Sequence, residues 1–374
     1  MDKKNILIIS YYYKPFQDVG VLRTSYWCEE LNKKENIFCN VITAVCQDQK
    51  SDNIFYVKDT KRYNPLSFFI NDKGLSWRKD LKDFIYHHSK QYHYDTVIFS
   101  GGPFLHFSLI SLCKRVFKCK VILDFRDPFS FNPRFNNNLI KVKIKQLFER
   151  RYINLADHVI TVNSTCLDLI TLGMKTKNKN KYKIIKNGFS DTAVINVINS
   201  FERETHKKTR LIYSGKFYSD FNTDYFFRII SSKEFKDKFE FYHIGKKYNL
   251  IKKYNNNGNI FEMGYLQYEE NLKYIYNSDI GCIFTGGKEF ESTTKLFDYV
   301  GLKKPMLIIT EGEIKTGNIH KLTHKYPNVY WSKNNYEDIK NTLSRIIRDR
   351  PMNCDFDNYK YSRRYGLDKL VEVL

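Results

Sequence analysis

The chain of 374 residues lacks the glycine-rich motifs that many nucleotide-binding α/β proteins carry. It contains neither G-x-G-x-x-G after its first apolar run nor G-x-x-x-x-G-K-[ST] anywhere. These absences argue against a nicotinamide-dependent dehydrogenase and a P-loop NTPase. The eight cysteines are scattered and form no C-x-x-C motif. We therefore expect a reduced, cytoplasmic protein without a disulfide framework.

Long apolar segments are also missing. The first apolar run, Ile6 to Ser10, ends at a tyrosine cluster followed by Pro15 and is too short for the core of a signal peptide. The stretch from Thr96 to Cys113 has no Asp, Glu, Lys or Arg, but Gly101-Gly102-Pro103 interrupts it. The sequence therefore predicts no membrane-spanning helix.

Acidic residues are in deficit, with 41 Asp and Glu against 62 Lys and Arg, for a net charge of +21. Such an excess favours a polyanionic partner: nucleic acid, an anionic membrane surface or a phosphorylated substrate. The aromatic residues do not alternate with basic ones along an exposed platform, and no nucleic-acid reader motif is present. We expect no nucleic-acid partner. A nucleic-acid-binding module is the alternative function that is not enzymatic.

Apolar residues make up 42% of the chain and aromatic ones 16%, which indicates a folded protein of about two domains. Short apolar runs alternate with helical patterns such as Arg23–Leu31, as is typical of an α/β fold whose parallel sheet has helices on both faces. The predicted strands form two series, residues 6–10, 40–44, 96–100, 120–124 and 158–163, then 210–214, 239–244, 259–262, 280–284 and 305–309.

The polar segment from Asn196 to Lys208 separates the two series and is expected to be a linker. We therefore predict an N-terminal domain over residues 1–195 and a C-terminal domain over 209–350, whose last helix is roughly Tyr336–Arg348. Residues 351–374 are predicted to form a helical tail that packs back on the N-terminal domain.

Ligands of open parallel sheets bind beyond the carboxyl ends of the strands, so the loops that follow the strands are the candidates. Gly20 precedes the first helix, where a glycine lets the backbone approach a phosphate or simply makes a turn. Asp124, Arg126 and Asp127 follow a buried strand. Arg126 either holds this loop through salt bridges or joins Asp127 in facing a substrate.

The segment from Glu291 to Pro305 has the most specific pattern. Ser292 or Thr293 is predicted to cap a helix whose first amides, with Lys295, form an anion site. Asp298 shares the face of Lys295 about one turn, roughly 5.4 Å, further along. This offset suits a diphosphate and a ribose, although a capped surface helix with an exposed Asp298 is the alternative.

Taken in order, these segments resemble the retaining family 4 group of GT-B glycosyltransferases. The resemblance covers nearly the whole chain, and no single motif decides it. Its marks are the opening strand with Gly20 and Arg23, Ser100-Gly101-Gly102-Pro103, Asp124-Phe125-Arg126-Asp127-Pro128, Glu149 before Ala156-Asp157-His158, Asn187-Gly188-Phe189, Tyr213-Ser214-Gly215-Lys216, Gly264-Tyr265-Leu266 and Thr294-Lys295-Leu296-Phe297-Asp298-Tyr299.

The resemblance implies two Rossmann-like, doubly wound domains that face a central cleft, the first for an acceptor and the second for a UDP- or GDP-sugar donor. Lys216 and Lys295 would neutralise the leaving diphosphate without a metal, and Asp127 or Arg126 would face the acceptor or sugar. No tightly bound cofactor is implied. The other implied donor contacts are Gly20 and Arg23 near the phosphates, Gly215 after the first strand of the C-terminal domain, Thr293 and Thr294 by the helix start, Tyr265 and Leu266 at the base, and Asp298 at the ribose.

Two departures from the family pattern stand out. The family often has two glutamates eight residues apart, whereas Phe290 occupies the first position here, Glu291 lies one residue later and Asp298 holds the second. A second basic residue shortly after Lys216 is also missing, which shifts phosphate binding toward Lys295 or Arg23. The D-x-D sequence Asp355-Phe356-Asp357 lies in a polar tail and is expected to be a turn or cap, not a metal site.

The segment Leu139–Arg151 mixes apolar and basic residues in a way that suits an anionic bilayer, and equally an ordinary surface helix. The predicted function is transfer of a sugar from a nucleotide donor to a saccharide acceptor in surface polysaccharide biosynthesis. If the segment lies on a membrane, the acceptor is expected to be lipid-linked. The alternatives are a GT-B nucleotide-sugar epimerase or hydrolase and a GT-B partner subunit without activity.

Overall fold

The computed structural model describes residues 3–16, 19–45, 51–61, 64–132, 138–174, 178–218 and 221–374. The chain divides into two compact units, residues 1–186 with 367–374 (unit 1) and residues 187–366 (unit 2). Residues 187–195, which we expected in the N-terminal domain, thus belong to unit 2. Part of the expected linker is helical, because the helix Asp191–Ser200 packs on the core of unit 2 through Val194 and Val197.

Unit 1 contains a parallel sheet of seven strands in the order β3-β2-β1-β4-β5-β6-β7. Its central strands are buried on both faces; Ile6 to Ile9 are fully inaccessible, which explains their continuous apolar run. The strands are β1 (Lys4–Ser10), β2 (Ile37–Thr43), β3 (Ile54–Tyr56), β4 (Thr96–Ser100), β5 (Lys120–Phe125), β6 (His158–Thr161) and β7 (Tyr182–Ile184). The helices are α1 (Val19–Asn32), α2 (Lys73–His88), α3 (Ile110–Phe117), α4 (Leu139–Leu155) and α5 (Ser164–Ile170).

Unit 2 contains a second parallel sheet, of six strands in the order β10-β9-β8-β11-β12-β13. Its strands are β8 (Thr209–Ser214), β9 (Phe239–Ile244), β10 (Ile260–Gly264), β11 (Ile280–Thr285), β12 (Met306–Thr310) and β13 (Val329–Lys333). The helices are α6 (Asp191–Ser200), α7 (Asp224–Ile230), α8 (Asn249–Tyr254), α9 (Tyr268–Asn277), α10 (Lys295–Gly301), α11 (Gly317–Thr323) and α12 (Tyr336–Asp349). The last helix, α13 (Arg363–Val371), contains the division between the units.

The predicted fold class, a doubly wound α/β protein with two Rossmann-like sheets, is confirmed. All ten predicted strands are present within a few residues of their expected bounds, and the helix predicted over Tyr336–Arg348 ends one residue later. Three strands were not predicted, and each lies at one edge of its sheet: β3, β7 and β13. Edge strands are covered by neighbours on one side only, so their sequences are less apolar and harder to recognise.

The end of the chain is part of the core of unit 1. Leu367, Leu370 and Leu374 are buried in the cluster that covers one face of the sheet, with Ile6 and Ile8 of β1. The Nζ atom of Lys120 also donates hydrogen bonds to the carbonyl oxygens of residues 373 and 374, at 3.2 and 3.0 Å. The final turn of α13 is thus held by apolar burial and by hydrogen bonds from the start of β5.

Candidate functional site

Two glycine loops meet at the carboxyl end of the sheet in unit 2. Gly215 follows β8 with φ +139°, and Gly245 follows β9 with φ +147°. A Cβ on Gly245 would lie 2.5 Å from the carbonyl oxygen of Gly215, so the two backbones touch where a side chain has no room. The buried ring of His243 adds a 2.9 Å hydrogen bond between its Nε2 atom and the same carbonyl oxygen. The backbone around Gly215 is therefore held in one conformation.

Lys295, the first residue of α10, lies against this glycine. A Cβ on Gly215 would be 3.0 Å from the Lys295 Nζ atom, which also lies 3.4 Å from the Tyr213 hydroxyl and 4.6 Å from the centre of that ring. Within the described ranges, no carboxylate lies at ion-pair distance from this ammonium. Burial lowers the pKa of Lys295 to about 8. A half-buried cation without an acidic partner is suited to an anionic ligand.

Asp298 lies one turn further along α10. Its Oδ1 atom accepts a 2.7 Å hydrogen bond from the Tyr268 hydroxyl, at the start of α9. Burial raises the pKa of the Asp298 carboxyl to about 6, while the Tyr268 hydrogen bond and the charges of Arg363 and Lys295 act in the opposite direction. Arg363 itself lies over the Tyr268 ring, 5.2 Å from its centre. Asp298 therefore belongs to a polar cluster and is not the exposed acid of the alternative interpretation.

The start of α10 differs from the prediction. Thr294, not Ser292 or Thr293, occupies the N-cap position, and its side chain makes no capping hydrogen bond. Glu291, which stands one residue after the family's first glutamate position, accepts a hydrogen bond from the Thr285 hydroxyl at the end of β11. This bond ties the preceding loop to the sheet and delays the helix, so the predicted cap at Ser292 or Thr293 was wrong.

The other predicted donor residues of unit 2 lie in the loops after β8 and β10. The Lys216 side chain is exposed, with its Nζ atom 5.5 Å from the centre of the Tyr218 ring. Tyr265 is 76% exposed directly after β10. Leu266 is half-buried against the adjacent core cluster. Since parallel strands end at one edge, these loops lie at the same edge as Gly215 and Lys295.

In unit 1, Arg23 is buried and already has partners. Its Nη2 atom lies 3.1 Å from the Asp124 carboxylate, which is fully buried, and its Nη1 atom donates a 2.8 Å hydrogen bond to the carbonyl oxygen of Ile185. Its guanidinium carbon also lies 4.4 Å from the centre of the Trp27 ring. To bind a donor phosphate, Arg23 would have to leave this ion pair.

Arg126 and Gly20 are in contact at the carboxyl end of the unit 1 sheet. A Cβ on Gly20 would lie 1.8 Å from an Arg126 guanidinium nitrogen, so a larger residue at position 20 would displace that side chain. Arg126 donates hydrogen bonds of 2.9 and 2.6 Å to the carbonyl oxygen of Gly101. Among the residues that the structure describes, Arg126 thus holds the loop through a backbone carbonyl and makes none of the salt bridges considered from sequence. The side chain of Asp127, the next residue, is exposed.

Glu149 organises the same loop from α4. Its fully buried carboxylate accepts hydrogen bonds from the backbone N–H groups of Phe129 and Ser130, at 2.9 and 3.2 Å, and from the Ser130 hydroxyl. Burial raises the pKa of Glu149 to about 7. Glu149 therefore anchors the residues that follow Arg126 and Asp127.

Four residues that shape these sites received no role from the sequence, namely Tyr213, His243, Tyr268 and Arg363. Tyr213 stood in one of the family marks, but no local pattern indicates what these four contact, because each acts on a residue that is distant in the chain. The strand periodicity places Tyr213 and His243 next to their glycine loops, which was the only available signal.

Neither a metal site nor a membrane span is found in the parts of the chain that the structure describes. No group of three or more His, Cys, Asp or Glu side chains there is arranged to hold a metal ion. In the D-x-D sequence, Asp355 pairs with Lys303 at 3.4 Å, and Asp357 accepts a hydrogen bond from the N–H of Tyr359. None of the helices described is long and apolar enough to cross a bilayer.

Comparison with known proteins yields structural likeness without sequence matches. No protein-family model matches the chain, and no curated protein sequence matches it significantly. Sucrose-phosphate synthase from Thermosynechococcus elongatus superposes with a TM-score of 0.68 at 11% identity, over 99% of this chain and 94% of its own. Anabaena HepE, solved with UDP and glucose, has a TM-score of 0.64 at 10% identity and covers 99% of both chains. A UDP-N-acetylglucosamine 2-epimerase has a TM-score of 0.62 at 12% identity, over 100% of this chain and 95% of its own. At identities this low, the superpositions show the fold alone. They confirm that this chain has the GT-B fold.

Proposed function

We propose that the protein is a glycosyltransferase that moves a sugar from a UDP- or GDP-sugar to a saccharide acceptor. The observation that carries this proposal is the ammonium of Lys295, which is half-buried beside Gly215 and has no carboxylate at ion-pair distance in the described chain. A diphosphate would supply the missing anion. HepE, with the same fold, is solved with UDP and glucose, which is consistent with such a ligand.

The donor residues have distinct proposed roles. Lys295 and Lys216 neutralise the charge that develops on the leaving diphosphate, which is electrostatic catalysis that needs no metal. Thr293 and Thr294 lie beside that charge, and Tyr265 and Leu266 border the base. Their positions around the carboxyl end of the unit 2 sheet support these roles.

Asp298 is proposed to bind the ribose. Its Oδ1 atom accepts the Tyr268 hydrogen bond, and no described donor is bonded to Oδ2, which leaves that oxygen for ribose hydroxyls. The offset of three residues from Lys295, about 4.5 Å along the helix axis, suits the distance between ribose and diphosphate.

Residues of unit 1 are proposed to face the acceptor and the transferred sugar. Gly20 and Arg126 form a tight contact at the carboxyl end of that sheet, and Asp127 is exposed beside them. Arg23 has a supporting role, since its ion pair with Asp124 holds the first crossover to β5. Retention of the anomeric configuration is part of the proposal and rests on the family resemblance alone.

Donor binding is tested by thermal unfolding with UDP, GDP, UDP-glucose and GDP-mannose. A ligand at 100 times its dissociation constant adds about 2.7 kcal/mol to the free energy of unfolding. We expect one nucleotide series to stabilise the protein, and Lys295→Ala and Asp298→Ala to abolish that effect while the free variants stay folded. Exposed residues of the same charge provide the controls, Lys321→Ala and Glu337→Ala. An unchanged shift in both site variants would refute the placement of the site.

A nucleotide-sugar epimerase or hydrolase is the second candidate, because the UDP-N-acetylglucosamine 2-epimerase covers this chain as fully as the synthase does. The two functions differ in what happens to the donor without an acceptor. An epimerase produces the donor's epimer and a hydrolase releases free sugar, both visible by proton NMR. A transferase leaves most of the donor intact until a saccharide is added, and a partner subunit would bind the nucleotide with no turnover under either condition.

The setting proposed for this activity is surface polysaccharide assembly at the cytoplasmic face of a membrane. Three apolar side chains of α4 are largely exposed, Leu139, Ile140 and Leu147, at 77, 62 and 68%. Lys141 and Lys143 are exposed between them. Apolar residues interleaved with lysines on one helix suit contact with an anionic bilayer, where a lipid-linked acceptor would be presented.

A further inference from the structure

The loop after β1 exposes an aromatic stack at the carboxyl end of the unit 1 sheet. The stack starts in the core, where the buried Trp77 ring packs edge-on against Tyr11 with centroids 5.4 Å apart. Tyr11 packs edge-on against Tyr12 at 4.9 Å, and Tyr12 stacks on Phe16, also at 4.9 Å and with planes inclined by 22°. Phe16, the outermost ring, is 44% exposed. The exposed ring of Phe16 is therefore packed on a series of rings that reaches back to the core.

Hydrogen bonds hold the backbone of this loop. The Ser10 hydroxyl donates to the carbonyl oxygen of Tyr12 at 2.8 Å, and the Thr43 hydroxyl donates to that of Tyr11 at 3.1 Å. The N–H of Phe16 donates to the carbonyl oxygen of Tyr13 at 3.0 Å. A surface ordered in advance loses little conformational entropy when a ligand binds to it.

The ammonium of Lys73 lies beside the stack. The Lys73 Nζ atom donates a 2.9 Å hydrogen bond to the Tyr12 hydroxyl and lies 5.3 Å from the centre of that ring. No carboxylate in the described ranges lies at ion-pair distance from it. The carboxylates of Asp59 and Asp72, on neighbouring segments, accept hydrogen bonds from other donors. The ammonium is thus available to an external anion.

We propose that this stack and Lys73 form the acceptor site, and that the acceptor is a saccharide with a negative charge. The apolar face of one sugar ring packs on Phe16, and a carboxylate or phosphate of the saccharide pairs with Lys73. Arg126 at the same edge of the sheet also has no carboxylate partner in the described chain, which favours the same charge. This inference rests on the transferase function proposed above and specifies its acceptor.

Saturation-transfer NMR on the full chain tests the site with three probes, methyl β-glucuronide, glucose 1-phosphate and methyl β-glucoside. We expect the charged probes to bind at least fivefold more tightly than the glucoside. The preference should persist in Lys295→Ala, which removes the proposed donor-phosphate contact. Stronger binding of the glucuronide indicates a carboxylated acceptor, and stronger binding of glucose 1-phosphate indicates a phosphorylated one.

Two variants separate the two contacts. Lys73→Ala should reduce the affinity for both charged probes to that for the glucoside, whereas Phe16→Ala should weaken all three at least fivefold. The matched control is Lys79→Ala, an exposed lysine of the same helix. Equal binding of charged and neutral probes by the wild type, or unchanged binding in both variants, overturns the acceptor site. A charged-probe preference in a protein that no nucleotide stabilises supports this site and refutes the donor site.

Discussion

At the scale of single residues, the proposed donor site combines a cation, Lys295, and an acid, Asp298, and burial disfavours the charged form of both. The pKa of Lys295 is lowered to about 8, and the pKa of Asp298 is raised to about 6. Each residue is therefore charged over only part of the ordinary pH range. Both are charged together between about pH 6 and 8, and the proposed donor binding needs both.

We predict that the affinity for the stabilising nucleotide-sugar is highest between about pH 6 and 8. It falls above pH 8 because Lys295 loses its proton, and below pH 6 because Asp298 gains one. Calorimetric titration from pH 5 to 9 measures this profile. A nucleotide-sugar is the right probe, since the terminal phosphate of a free diphosphate itself titrates near pH 6.

Conservative variants show which residue causes the fall in affinity at each end of the pH range. Lys295→Arg should retain binding above pH 8, because the guanidinium stays protonated. Asp298→Asn should weaken binding near neutrality and remove the acid limb. An alkaline limb that stays the same in Lys295→Arg would show that another group titrates there.

The buried ion pair of Arg23 and Asp124 supports a prediction about stability. Asp124→Ala leaves the Arg23 guanidinium in the core without its anion, and the loss of one partner from a buried pair costs about 3–5 kcal/mol. Urea unfolding measures the change. The double variant Arg23→Met, Asp124→Leu should regain most of the lost stability, because no unpaired charge remains. A single variant as stable as the wild type contradicts the inferred role of the pair.

At the scale of elements, α4 has two different faces. Its inner side presents Glu149 to the loop that carries Arg126 and Asp127, and the pKa of this carboxyl is raised to about 7 by burial. Its first half exposes Leu139, Ile140 and Leu147 with lysines between them. The helix with this basic and apolar composition thus has two parts: Glu149 anchors a loop, and Leu139, Ile140 and Leu147 form an exposed apolar surface.

We predict that the exposed half of α4 binds anionic vesicles. The wild type should co-sediment with phosphatidylglycerol-containing vesicles and not with pure phosphatidylcholine, and high salt should weaken the binding because it is partly electrostatic. The double variant Ile140→Ser, Leu147→Ser should lose most of it.

The matched control for this experiment is Ile195→Ser, Ile198→Ser, which changes two exposed isoleucines of α6. This pair should leave vesicle binding unchanged. Equal loss in both double variants would indicate a general effect of surface hydrophobicity, and α4 would then be an ordinary surface helix.

The start of α10 shows how far local sequence determines an element. Lys295 and Asp298 were predicted one turn apart on one face, and the helix Lys295–Gly301 places them so because that spacing depends only on helix geometry. The cap was misplaced because the hydrogen bond between Thr285 and Glu291 holds the preceding loop. That bond joins the end of a strand to a loop, and no helix-start signal reports it.

At the scale of the whole molecule, the last residues of the chain stabilise the first unit. Leu370 is fully buried with Ile6, Ile8 and Trp27, whereas Val371 beside it is exposed. We predict that Leu370→Ala lowers the free energy of unfolding of unit 1 by about 2–5 kcal/mol. Val371→Ala should change it by less than about 0.5 kcal/mol.

Urea unfolding followed by the fluorescence of Trp27 and Trp77 measures both variants, since both tryptophans lie in unit 1. Similar small effects of the two substitutions would contradict the packing of α13 described above. A large effect of Leu370→Ala alone would place the end of the chain in the cooperative core of unit 1.

The order of strands and helices along the chain was readable from sequence, because burial on both faces of a parallel sheet imposes continuous apolar runs at β1, β4 and β11. The edge strands β3, β7 and β13 were not predicted, because a strand with a neighbour on one side only needs a less continuous apolar sequence. Domain limits were harder to place. The second half of α6 exposes Asn196, Asn199 and Ser200 beside Ile198, so it resembles a linker until the buried side with Val194 and Val197 is known.

The candidate site divides in the same way. The spacing of Lys295 and Asp298 on one helix face follows from their places in the sequence and from helix geometry, so the sequence was sufficient to identify this pair. The hydrogen bond of Tyr268 to Asp298 and the buried pair of Arg23 with Asp124 join segments far apart in the chain. Such pairings exist only after the strands have taken their order in the sheets, because that order sets which side chains share a low-dielectric interior.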